Sequence, residues 1–308
     1  MGKYIIKRIL YMIPMLFCVI LVIFLIMNLT PGDPASNVLP ITTPQAVKDA
    51  YNVSVGYTGS LGLRFLNYLK GLFSGNILSY TTQENIFGEL AVRIPITLSV
   101  GIIGFLLAAI IGISLGILSA VRQYSFVDTA LTVIAVFFGS VPGFLIATAG
   151  VLIFSVRLGV LPSFGLNNGL KSYILPVASL TISAIPVLSR MTRSSMLSAL
   201  NQDYIRTARA KGCSERRVIW KHALKNASLP IITLLLTGFA GVLGGSVIVE
   251  QIFSIPGIGM YMLQAMNAKN VPVVMTCALF LAFVFMVAMV LMDIFFALID
   301  PKIRARYK

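Results

Sequence analysis

Charged residues divide this chain into long segments that carry no charge. Six of these segments contain between 18 and 28 residues each. A helix needs about 20 predominantly apolar residues to cross the hydrocarbon core of a bilayer, and it satisfies its backbone hydrogen bonds internally. The pattern therefore predicts an all-α membrane protein with six transmembrane helices. These are expected at about Ile9–Leu29, Ile94–Val121, Thr129–Val156, Tyr173–Ser189, Leu229–Phe253 and Val271–Ile299.

The composition agrees with a membrane location. The 308 residues are 57% hydrophobic and 11% charged, and the mean hydropathy is +0.92. A soluble domain carries about 25% charged residues, so this chain has too few charges to cover a water-exposed surface. The first apolar segment is too long for the core of a signal peptide, and no small-residue cleavage site follows it directly. We expect it to be a retained helix.

Lysine and arginine are distributed unevenly between the two sides of the predicted membrane. If the N-terminus is cytoplasmic, the inner segments hold 17 of these residues and the outer segments hold 7. The positive-inside rule therefore places both termini in the cytoplasm. Because the net charge of +14 is concentrated on one face, topology explains it better than nucleic-acid binding does.

A long segment separates the first two predicted helices and is external in this topology. It opens with Thr30-Pro-Gly-Asp-Pro34, a strong turn sequence. Four leucines at helical spacing predict a short amphipathic helix within Leu63–Phe73. They are Leu63, Leu66, Leu69 and Leu72. Such a stripe lies either on the membrane surface or against neighbouring helices, and we favour packing.

The longest cytoplasmic segment runs from Arg190 to Ser228, and its loop at residues 199–228 predicts a helix, a sharp turn and a second short helix. Gly212 suits the position after a helix, where positive φ costs glycine nothing. Ser214 is a good N-cap for the next helix. The first helix is expected to carry an apolar stripe formed by Leu197, Leu200, Tyr204 and Ala208. Two interpretations remain open, a basic loop on the membrane surface or an element that docks into a groove on a soluble partner.

This segment resembles the EAA loop of binding-protein-dependent ATP-binding-cassette (ABC) permeases. The family pattern is Glu-Ala-Ala, three residues and Gly; here Ala208 and Gly212 match, whereas Arg206 and Thr207 replace the first two residues. The variant Ala-Arg-x-Lys-Gly, followed by His-Ala-Leu-x-Asn-Ala from His222, resembles the dipeptide, oligopeptide and nickel subfamily. Further similarity lies at Asn28–Pro34, Leu175–Pro176, Arg190–Met196, Gly244–Gly259 and Asp300–Arg304.

The resemblance implies a type I ABC importer permease fold and a set of partners. These are a homologous second permease subunit, two cytoplasmic ATPases, an extracytoplasmic solute-binding protein and the lipid bilayer. The chain has no Gly-x-x-x-x-Gly-Lys-Ser/Thr motif. We therefore expect a non-catalytic subunit that binds no cofactor, with ATP and Mg²⁺ on the partners. The implied regions are residues 1–93 with the external segment, a core at 94–300 and a cytoplasmic tail at 301–308.

The resemblance also implies which residues couple the permease to the ATPases. Gly212→Val or Ala208→Glu is expected to uncouple transport from ATP hydrolysis. The predicted coupling residues are Tyr204, Ile205, Arg206, Ala208, Arg209, Lys211, Gly212, Arg216, His222 and Asn226.

Several residues in the predicted spans are candidates for bends, close helix contacts or a gate. Proline can kink a helix and glycine lets helices approach closely, so static packing and a gate lined by the fifth helix both stay open. Glu250 and Asp293 are the acidic residues we identify within or beside the spans. Glu250 either contacts a gate or solute or makes a structural hydrogen bond, and Asp293 is expected to be structural. The other candidates are Pro142, Pro176, Pro186, Gly238, Gly241, Gly244 and Gly245.

Three other protein classes fit the sequence less well. A gradient-driven transporter would carry paired intramembrane charges or an inverted repeat. A membrane enzyme would carry a cluster of catalytic or metal-binding side chains, and a channel would carry a filter motif. The three cysteines and the single His222 show no disulfide or metal-ligand spacing. The resemblance implies a di- or oligopeptide as the solute, with nickel or another small solute as the alternative, and the lack of a histidine or cysteine group in the spans favours the peptide.

Overall fold

The computed structural model is helical, which confirms the predicted class. It describes the backbone of residues 2–299 and the side chains of residues 6–239, 241, 244, 246–291 and 294. The predicted tail at residues 301–308 lies outside the described residues. Within the described part there is no β-strand, and a single bridge pairs Leu78 with Asn85.

Long helices alternate with short ones along the chain. In order they are α1 (Gly2–Leu29), α2 (Pro34–Val38), α3 (Gln45–Ser54), α4 (Leu61–Ser74), α5 (Ile86–Val121), α6 (Phe126–Ser140), α7 (Gly143–Gly150), α8 (Lys171–Leu200), α9 (Asp203–Ala210), α10 (Glu215–Arg217), α11 (Leu224–Ile252), α12 (Ile258–Asn267) and α13 (Val271–Ile299). Two π-helical segments, Val151–Arg157 and Val218–Ala223, follow α7 and α10 without a break.

Four helices in the described part are long and apolar enough to cross a membrane. They are Ile6–Leu29, Ile86–Val121, Lys171–Leu200 and Val271–Leu291. The pair Phe126–Ser140 and Gly143–Arg157 meets the same criteria together but is bent by 95°. The remaining predicted span falls on α11, a helix of 29 residues, some of whose side chains lie outside the description. The number of helices that cross the bilayer stays a prediction.

The third predicted span is not one continuous helix, which corrects the prediction for Thr129–Val156. α6 ends at Ser140, and Val141 has an extended backbone before Pro142 caps α7. Proline lacks an N–H and disfavours helical geometry in the preceding residue. By contrast, Pro176 and Pro186 lie inside the uninterrupted α8. Only Pro142 of the three predicted bending points therefore ends a helix.

The chain divides into two compact units, and the first comprises residues 2–97 and 256–290. Tyr68 and Phe65 of α4 pack in its apolar core. The ring centroid of Phe65 lies 5.8 Å from that of Phe17 and 5.0 Å from that of Phe24. This confirms that the external helix packs against its neighbours. However, Leu63 and Leu66 are exposed, so half of the predicted leucine stripe faces away from the core.

The loop before α13 holds the segment between α1 and α5 in place within the same unit. Lys269 is buried, and its Nζ donates hydrogen bonds to the carbonyl oxygens of Thr30 and Gly32. Asn270 donates from Nδ2 to Ser79 Oγ at 2.9 Å, and its Oδ1 accepts from the Tyr80 N–H at 3.1 Å. Burial of the ammonium group lowers the pKa of Lys269.

The second unit comprises residues 98–255 together with 291–299, and glycines bring α5 close to α8 within it. A Cβ atom at Gly116 would lie 2.5 Å from Thr192 Cβ, and one at Gly112 would lie 2.8 Å from Leu188 Cβ. Small residues allow such close helix contacts in membrane proteins. Gly241 and Gly244 were predicted to make close helix contacts of this kind. No described atom lies within 4 Å of a Cβ placed at either position, so they do not make such contacts with the described residues. Gly245 lies outside the described side chains.

Candidate functional site

A tight turn joins α9 to the helix that follows it, as predicted from Gly212. Gly212 has φ +77°, which glycine adopts without steric cost. The N–H of Cys213 donates to the Ala208 carbonyl at 3.2 Å, and that of Gly212 donates to Arg209 at 2.9 Å. These two bonds form a Schellman motif, which satisfies the free carbonyls at the end of α9. Ser214 then lies at the N-cap of α10.

A salt bridge spans this turn. Arg209 Nε donates to Glu215 Oε1 at 2.8 Å, and Arg209 Nη2 donates to Oε2 at 3.2 Å. The hydrogen bonds from Arg209 lower the pKa of Glu215. Both side chains are exposed, so the pair adds little to stability. The helix α9 and the helical segment from Glu215 to Ala223 form the two arms of a hairpin. The two-point geometry of the salt bridge holds these arms in a defined orientation.

One face of the hairpin is buried within the second unit, to which the hairpin belongs. Ile205 and Ala208 pack with Met196, Val218 and Ala223 in a single apolar cluster. The predicted stripe is therefore only partly correct, because Tyr204 is exposed while Ile205 is fully buried. The helical register restarts between α8 and α9 because Gln202 has an extended backbone.

The second arm is not the short, separate helix that was predicted. Helical structure runs from Glu215 through the π-helical Val218–Ala223 into α11 without a break. No turn residue interrupts this part of the sequence, and π-helical turns are frequent at functional sites. The helix that carries the fifth predicted span accordingly begins before Leu229. Any force on the hairpin would reach α11 directly through the helix.

The opposite face of the hairpin is exposed and basic. Arg206 has an exposed fraction of 80%, and Lys211, Arg216 and Asn226 are also exposed, whereas His222 is partly buried. Asn226 Nδ2 donates to the His222 carbonyl at 2.9 Å. Sequence reasoning overlooked Trp220, the only tryptophan, which is 58% exposed. The surface combines positive charge with aromatic area, a combination suited to a partner protein.

The structure brings some of the predicted gate residues together. Pro142 and Gly241 line a common cavity of about 460 Å³ with Ser179 and Ser183. Pro186 lines a different cavity, of about 190 Å³, between α5, α6 and α8. Gly244 lines neither of them. Glu250, near the end of α11, is completely buried.

An acidic residue that the sequence prediction missed is buried beside the spans. Asp128 accepts hydrogen bonds from Arg193 Nε at 2.7 Å and from Arg193 Nη2 at 2.8 Å. The Ser119 hydroxyl and the Tyr124 N–H also donate to its carboxylate. These bonds connect α5, α6 and α8 at one end of the unit. A capping serine, Ser125, was the only local signal in the sequence.

The described residues contain no group of three histidine, cysteine, aspartate or glutamate side chains that could hold a metal ion. The side chain of Asp293 lies outside the description.

Comparison with known proteins identifies the family. The model of the binding-protein-dependent transport system inner membrane component matches residues 112–305. The model of the N-terminal part of such components matches residues 1–101. Together the two matches cover most of the chain, including α9 and the turn at Gly212.

Full-length relatives and solved structures agree with these matches. A putative peptide transport system permease of Brucella abortus is 36% identical over 99% of both chains. The glutathione transport system permease GsiC of Escherichia coli is 34% identical over 99% of both chains. An inward-facing structure of the MetNI methionine ABC transporter has a TM-score of 0.61 at 19% identity and covers 70% of this chain and 99% of the other. The multi-pass membrane protein described here therefore belongs to the family of binding-protein-dependent transport system inner membrane components, the permeases of ABC importers.

Proposed function

We propose that this chain forms half of the translocation pathway of an ATP-driven importer for di- and oligopeptides. Two kinds of full-length relative, named for peptide and for glutathione transport, support a peptide-class solute. Six spans with both termini in the cytoplasm complete the proposal. The core at residues 94–300 would carry the pathway, with Pro142 and Gly241 beside one of its cavities and Pro186 beside another.

The proposed partners follow from the family. A homologous permease subunit would supply the other half of the pathway, and a solute-binding protein would deliver the peptide from outside. Two ATPases would bind ATP and Mg²⁺, because this chain has no P-loop motif. The chain itself would contribute no catalytic residue.

The hairpin is the observation that carries this proposal. Its inner face is fixed by the buried Ile205, and its second arm is continuous with α11. Its outer face leaves Arg206 and Tyr204 exposed for a partner. Moving a two-state pore from 1:99 to 99:1 needs about 5.5 kcal/mol of differential binding. A rigid helical connection can transmit that bias, whereas a flexible loop cannot.

Uptake into proteoliposomes tests the proposed function. The chain is reconstituted with its neighbouring permease, ATPase and binding protein, and accumulation of radiolabelled alanyl-alanine is followed. We expect uptake that requires ATP and continues after an ionophore dissipates the ion gradients. Omitting the ATPase is the control. Uptake that follows the ion gradient and ignores ATP would contradict the proposal and indicate a secondary transporter.

A further inference from the structure

Two arginines lie close together on α8 but have different surroundings. Arg193 is paired with the buried Asp128. Arg190 is exposed and makes no hydrogen bond or ion pair with any residue in the described part of the chain. At 1.5 Å per residue, Arg190 lies about 28 Å along the helix from Lys171. An apolar bilayer core is about 30 Å thick, so this cation lies toward the inner end of the span in the proposed topology.

The direction of the Arg190 side chain indicates what it faces. A Cβ atom at Gly139 would lie 3.7 Å from Arg190 Nη2 and 4.0 Å from its Cζ. Gly139 is about 16 Å along α6 from Asp128, toward the middle of the membrane. An arginine in contact with lipid turns its charged group toward the nearer surface. Arg190 points the other way, toward a cavity that it lines, and this direction is favourable where water or an anion can enter that cavity.

The cavity beside Arg190 has mostly apolar walls. Leu131, Phe138, Ile182 and Ile185 line it together with Arg190. The apolar walls reduce the screening of this cation relative to bulk water, so an anion that enters the cavity is attracted to it more strongly than it would be in solution. A guanidinium binds a carboxylate through two parallel hydrogen bonds.

We propose that Arg190 binds the terminal carboxylate of a peptide on its way through the permease. This inference rests on the proposed function as a peptide importer and adds a group that recognises the solute. Unmodified peptides share this carboxylate whatever their side chains are. Arg193 also lines the cavity, but it is already paired with Asp128. Arg190 therefore contacts many different peptides through one common group, while the mostly apolar wall accommodates the variable side chains.

The test compares two solutes that differ only in that carboxylate. Initial ATP-driven uptake of alanyl-alanine and of alanyl-alanine amide is measured in proteoliposomes with the complete complex. The variants are Arg190→Gln, Arg190→Lys and the matched control Arg122→Gln, an exposed arginine in the α5–α6 loop. The binding protein is the same throughout, so its own preference cancels when the acid-to-amide ratios of two variants are compared.

We expect Arg190→Gln to lower uptake of the free acid about tenfold, as for loss of a charged hydrogen bond. Uptake of the amide should change less than twofold, Arg190→Lys should keep part of the preference, and Arg122→Gln should change neither solute. Equal loss of both solutes, or no loss of either, would overturn the inference. If equal loss accompanied depletion of co-purified anionic lipid, Arg190 would be a lipid-binding residue instead. Failure of the unaltered complex to import either peptide would instead contradict the proposed function.

Discussion

Replacing Asp128 with asparagine is expected to lower the free energy of unfolding by about 3 kcal/mol, because it leaves the Arg193 guanidinium, whose side chain is 30% exposed, without the buried carboxylate that pairs with it. Asp128 is only 4% exposed, and both of its carboxylate oxygens accept from Arg193. An asparagine amide would present an N–H₂ group to the guanidinium, so two donors would face each other. Equilibrium unfolding in mixed micelles containing SDS measures the change.

Two further variants distinguish the effect of losing the buried ion pair from the effect of removing any acidic charge. Asp203→Asn removes an acidic residue whose side chain is 97% exposed and lies 3.7 Å from Arg206, and its stability should stay within about 0.5 kcal/mol. Adding Arg193→Met to Asp128→Asn removes the unpaired cation and should recover part of the loss. Equal stability of Asp128→Asn and Asp203→Asn would show that the buried pair does not hold α6 to α8.

Replacing Gly212 with valine is expected to lower ATP-driven uptake at least about tenfold while the protein still inserts into the membrane. Gly212 has φ +77°, and a β-branched residue in this region costs about 1–3 kcal/mol. No described atom lies within 4 Å of a Cβ at this position. The expected effect therefore comes from backbone strain at the turn and not from a steric clash.

Asparagine supplies the matched control at the same position. It also adds a side chain, but it tolerates positive φ far better than valine does. Gly212→Asn should therefore retain most of the uptake, and the ratio of solute imported to ATP hydrolysed should fall only in Gly212→Val. Equal ratios for the two variants would contradict a role for the turn angle. Ala208→Glu is less informative than first expected, because Ala208 is buried and its loss also disturbs the cluster around Ile205.

Local chemistry made parts of this site predictable from the sequence. Gly212 follows a helical segment and precedes a capping serine, and this arrangement specifies a turn with positive φ. The turn after α1 was equally predictable. Asp33 accepts a hydrogen bond from the Ser36 N–H at 2.7 Å and caps α2. Long uncharged segments located the major helices, because few other structures satisfy the hydrogen bonds of the polar backbone in lipid.

Features that depend on tertiary contacts were not predictable from one sequence. Asp128 and Arg193 are 65 positions apart, so no local pattern connects them. Pro142 ends a helix while Pro186 does not, although both follow apolar segments. The burial of Ile205 in place of Tyr204 follows from the extended residue Gln202, which resets the helical register.

Photo-crosslinking in the assembled, ATP-hydrolysing complex tests the docking role of the hairpin most directly. A benzoylphenylalanine residue at position 206, on the exposed face of α9, should form a covalent link to the ATPase subunit. The same residue at position 41, which is 93% exposed in the external segment, should form none. A complex that hydrolyses ATP without a crosslink from position 206, or with an equal crosslink from position 41, would contradict the account.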